Sequence, residues 1–200
     1  MSKRDLKKYL SALTKEQTQE QLLELYDKFS EVKTYYDFVF NPKEEKLAGE
    51  ARAKILNEYF PLKSKRAKLR RSVAQKYIKH FLILGVDPFS ILDVMLFNIE
   101  TAQKYSAKRE MRFESFYKSM LNSFEQAFQY AIANGITTSF SNRLTLIVQE
   151  TVKQKWQNAD QFIHIIESLT EWECILFESS YNDITLGAGN NVTFAVTNLK

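Results

Sequence analysis

Between Lys63 and Arg71 the chain carries Lys63, Lys65, Arg66, Lys68, Arg70 and Arg71, six cations in nine positions. Clustered Lys and Arg neutralise phosphates, and Tyr59, Phe60 and Tyr77 lie close enough in sequence to stack on bases. The competing use is a solvated loop paired with an acidic face. Glu16, Glu20, Glu24, Asp27 and Glu31 recur at helical spacing and offer such a face. Basic loops are common and the net charge is only +4, so the internal reading is preferred over nucleic acid. The run reads as a loop because a helix, turning about 100° per residue, would scatter these charges around its axis.

Other chemistry is sparse. His80 and His164 are the two histidines, and neither has a second His or a Cys at metal-ligand spacing. His80 would serve as a general base only if Asp93 or Glu100 of the next helix reached it. The acidic stripe lacks ligands converging from several elements, which a hard-cation site needs. Cys174 sits among apolar residues, where burial keeps a thiol inert. Gly187 and Gly189 lack the strand–turn–helix setting of a phosphate loop. The sequence therefore predicts no catalytic residue, no metal and no cofactor.

The elements that must position these residues are helical. Ser2 caps a first helix to about Ala12, and Leu6, Leu10 and Leu13 on one side suit packing against the next. Thr14 with Gln17 forms a capping box for a long second helix over about residues 15–40, with Leu22, Leu25, Tyr26, Phe29, Val32, Tyr36 and Val39 in its apolar stripe. Asn41-Pro42 starts a third, ending near Tyr59 ahead of Pro61. Ser72 with Gln75 opens a helix at about Val73, which Gly85 closes. Asp87-Pro88 opens the next. Later helices follow from the apolar spacings around Phe113–Ala131, Leu144–Trp156 and Phe162–Leu176, the last two opened by Ser141 and Asp160. The Phe and Tyr stripes read as core. Residues 179–200 change character, with one charged residue before Lys200 and a period-two alternation of Ile184, Leu186, Val192, Phe194 and Val196. That tail reads as a β-hairpin or as disorder.

Composition sets the outer limits. Two hundred residues suit one large domain, and 14% aromatics supply a core of large rings. Residues 1–80 hold 19 Lys and Arg against 11 Asp and Glu, whereas residues 81–200 hold 9 against 13. A single cysteine favours a reducing compartment, and no apolar run is long enough to span a bilayer. The expectation is an all-α protein of the cytoplasm without a membrane. It has about seven helices in an irregular bundle or short superhelix, with a helical domain at 1–178 and the tail at 179–200.

Four stretches point to relatives: residues 2–10 (SKRDLKKYL), 35–44 (YYDFVFNPKE), 70–88 (RRSVAQKYIKHFLILGVDP) and 115–127 (SFYKSMLNSFEQA). Over about residues 2–160 the chain resembles an uncharacterised bacterial family, a domain of unknown function. The resemblance implies a bacterial cytosolic protein and carries over no site residues. The tail after about Phe177 departs from that pattern.

Three functions of different classes follow. A non-catalytic interaction module presenting a helical surface to a protein partner leads, because aromatic helices without a convergent polar cluster suit surfaces better than sites. A phosphate-backbone binder using Lys63–Arg71 is second. An enzyme whose polar groups meet only in the fold is third.

Overall fold

The computed structural model describes residues 2–63, 66–109 and 111–167, and these are all-helical with no strand. They hold nine helices rather than about seven. These are α1 (Lys3–Ser11), α2 (Lys15–Lys28), α3 (Ser30–Phe40), α4 (Glu44–Tyr59), α5 (Arg71–Leu84), α6 (Pro88–Ser106), α7 (Glu114–Ala133), α8 (Thr137–Lys153) and α9 (159–167). The hairpin expected around 184–196, the boundary at 178, Lys65 and Cys174 lie outside the described residues. The chain forms two compact units that divide after Tyr105.

In the first unit, the caps expected at Ser2, Thr14, Gly85 and Asp87 are in place. Ser2 and Asp5 form a reciprocal capping box, as do Thr14 and Gln17. The long second helix is interrupted at Phe29, whose backbone is extended (φ −121°, ψ 117°). No Gly or Pro marks that break. The gain from it is tertiary: the rings of Tyr26 of α2 and Tyr36 of α3 lie 6.5 Å apart by centroid, and Tyr26 donates to Asp37 Oδ1 at 3.2 Å. An unbroken helix would hold these residues apart along its axis.

The core of this unit is built on α4, α5 and α6. Ala51, Ile55 and Tyr59 recur along one face of α4, and Ala74, Ile78 and Phe81 along one face of α5. α6 is buried on nearly all sides, with Leu92, Val94, Leu96 and Ile99 fully enclosed. Each such aliphatic side chain contributes about 1.5–3 kcal/mol on burial. Between α4 and α6, at the half-exposed edge of the core, Arg52 Nε donates to Asp93 Oδ2 at 3.0 Å. Gly85 takes the left-handed conformation (φ 72°) that ends α5, and Asp87 then accepts from Ser90 N at 3.1 Å to cap α6.

Three helix starts differ from expectation. α4 begins at Glu44, leaving Pro42 outside it, and Lys43 in the N-cap position makes no side-chain bond. α5 begins at Arg71, two residues before Val73, without a side-chain cap. α8 begins at Thr137, so Ser141 lies inside it and turns its hydroxyl back to the Thr138 carbonyl. At both α5 and α8 the hydroxyl expected as a cap, Ser72 or Ser141, lies inside the helix.

The second unit is centred on rings. Phe124 and Phe162 lie 5.0 Å apart by ring centroid, Phe116 and Trp156 5.6 Å, and Trp156 and Phe162 5.9 Å. Lys155 ends α8 in a left-handed conformation (φ 53°), which lets Trp156 N reach the Thr151 carbonyl at 3.1 Å and turns the indole inward. Asn158 Nδ2 then donates to the Tyr117 carbonyl at 2.9 Å, fixing the approach to α9.

Candidate interaction surface

Of the cations singled out in the sequence, Arg70 is engaged within the fold. Arg70 donates Nε to Glu58 Oε2 at 2.9 Å and Nη2 to Glu58 Oε1 at 2.8 Å. The Glu58 carbonyl also accepts from Lys68 N at 2.9 Å and Leu69 N at 3.3 Å. Leu69 adopts a left-handed backbone (φ 54°) to make that turn. The last turn of α4 leaves carbonyls without intrahelical partners, and the basic loop supplies N–H groups and cations there. The loop is thus the cap of α4. Arg70 pairs with Glu58, where the sequence suggested the Glu16–Glu31 stripe as the loop's acidic partner.

The electrostatics agree with the geometry. The Arg70 hydrogen bonds hold the Glu58 carboxyl below the ordinary glutamate range against the upward push of its burial, and the charges of Arg70 and Lys68 add to the lowering. Burial lowers the guanidinium of Arg71, the first residue of α5. Lys63, Arg66 and Lys68 have exposed side chains.

His80 lines a cleft of about 400 Å³ with Asp37, Lys43, Lys46 and Glu50. Asp93, one of the two carboxylates expected near it, is paired with Arg52. His164 is exposed on α9. Among the described residues, no group of three or more His, Cys, Asp and Glu side chains is gathered to hold a metal. A second polar recess, of about 460 Å³, is lined by Glu114, Lys118, Asn122, Gln157, Asn158 and Gln161.

The feature that sequence reasoning missed is at α1–α3. No residue of these three helices is buried. Nineteen large apolar residues are exposed among those described, and ten of them lie within the first 40 positions. Leu6 and Leu10, expected to pack against α2, are 46% and 40% exposed, and Phe40 is 81% exposed. Leu22, Leu23, Tyr26, Tyr36 and Phe40 line an apolar groove of about 280 Å³. The stripes expected as core are therefore surface here. Periodicity reports that a helix has an apolar face, but not what covers it.

The chain belongs to the Family of unknown function (DUF6155), whose match spans residues 1–170. No curated protein and no solved structure matches it. Among the described residues no helix is long and apolar enough to cross a membrane.

Proposed function

We propose that this member of DUF6155 is a non-catalytic module of the cytoplasm that engages a protein partner through the apolar surface of α1–α3. The observation that carries the reading is the absence of any buried residue in three successive helices rich in large apolar side chains. Short helices in water draw most of their stability from a packed face, so helices lacking one are completed by something outside. Contiguous apolar exposure of this kind marks interaction sites on soluble proteins. The groove between α2 and α3 has the form that receives an amphipathic helix. Cytoplasmic placement rests on the single cysteine.

Photo-crosslinking in the native cytosol tests this. A benzophenone side chain at Phe40 or Leu23 is expected to give a discrete protein adduct, whereas the same group at exposed Leu146 of α8 gives none. Adducts no more discrete at Phe40 and Leu23 than at Leu146 would overturn the reading.

A further inference from the structure

We propose that the partner on this surface is a second copy of the chain, with α1 of each copy seated on the α2–α3 groove of the other; this rests on the interaction reading above. Charge carries the argument. α1 holds Lys3, Arg4, Lys7 and Lys8 against Asp5, four cations to one carboxylate. α2 and α3 together hold six carboxylates against three lysines. Taken as whole helices, α1 thus carries +3 and α2 with α3 carries −3, equal and opposite. Among the described residues no ion pair joins α1 to α2 or α3 within the chain. A two-fold interface places the same patch of both copies in contact, so a surface with matched halves satisfies both charge sets at once.

The apolar groups fit the same arrangement. α1 is strongly amphipathic, and Leu6 and Leu10 sit one turn apart on its exposed face. The hydrogen bond between Gln21 Nε2 and Tyr9 Oη fastens α1 to α2 while leaving those leucines outward. Leu23 and Phe40 offer the complementary apolar edge of the groove.

Sedimentation velocity of the full chain at low salt, from about 1 to about 100 μM, is the test. The expected result is a dimer that dissociates as salt screens the pairing. Lys7→Glu with Lys8→Glu, and separately Glu20→Lys with Glu24→Lys, should each weaken self-association about tenfold or more, and mixing the two variants should restore a paired species. All four positions are exposed, and circular dichroism of each variant checks that the helices persist. A chain that stays monomeric throughout overturns the self-pairing. So does a dimer indifferent to both charge variants and to Leu23→Glu with Phe40→Glu. If the chain is monomeric but Phe40 still crosslinks to another protein, the interaction reading survives alone. A monomer without such an adduct ends both.

Discussion

Arg70 and Glu58 are joined by two parallel hydrogen bonds, with the Glu58 side chain 7% exposed and Arg70 reaching it from the loop side. A carboxylate enclosed to this degree depends on its cation, because removing one partner strands the other.

Replacing Arg70 with Ser or Met should therefore lower the melting temperature by several degrees, whereas Lys63→Ser and Lys68→Ser should leave it within about a degree or two. From sequence, replacing Lys65, Arg66, Lys68 and Arg70 with Ser is expected to change stability little; the pairing with Glu58 predicts a larger effect at Arg70. Glu58→Gln combined with Arg70→Met should cost less than the sum of the two single changes, as expected for residues in contact. Thermal scans of the four proteins check this, and additive effects would contradict it.

The same pair sets a pH dependence. A carboxylate whose folded pKa lies below its unfolded value adds stability that is fully present above the unfolded value, about 4.3, and is lost as pH falls through the folded one. Glu58 and Glu150 are both lowered, Glu150 first by its hydrogen bond from Gln154 and then by Lys153. Stability should fall as pH drops from about 5 toward 3, and less steeply in the Arg70→Met protein. Equal slopes in denaturant titrations of the two would refute the linkage.

Nucleic acid should bind weakly. With Arg70 engaged by Glu58, the loop has one cation fewer to release counterions from phosphate. Each contact contributes about 0.9 to the log–log salt slope on duplex DNA. A shallow slope, little changed by Lys63→Ser with Lys68→Ser, is expected in a fluorescence titration. A steep slope that collapses in that double variant would instead establish the loop as a phosphate site.

Phe162 is fully enclosed and stacks toward both Phe124 and Trp156, so Phe162→Ala should destabilise the second unit by about 3–5 kcal/mol. Hydrogen exchange resolved by segment should show α7 and α8 loosening while α4–α6 keep their protection. A uniform loss across both sets would mean that the two units unfold as one.

Local signals were legible in the sequence. The Thr14–Gln17 box, the left-handed Gly85 and the Asp87 cap are each fixed by neighbours within four residues, and each was read correctly. Residues 63 and 66–70 are a loop as expected while Arg71 already belongs to α5, and the anchor was not legible because Glu58 and Arg70 meet only through the turn at Leu69. The break at Phe29 carries no breaker residue and goes with a ring contact between residues 10 apart, Tyr26 with Tyr36. Nor could the aromatic stripe of α2–α3 be told from that of α7, since both repeat at helical spacing and only the fold buries one of them.

Hydrogen exchange of α1–α3 against protein concentration tests the central claim most directly. In dilute solution their amides should exchange far faster than those of α6, which is enclosed on nearly all sides. As concentration rises, protection should grow in α1–α3 alone and follow the same curve as the dimer in sedimentation. Amides in α1–α3 as protected as those of α6 in dilute solution, and unchanged by concentration or by added cytosol, would contradict the account.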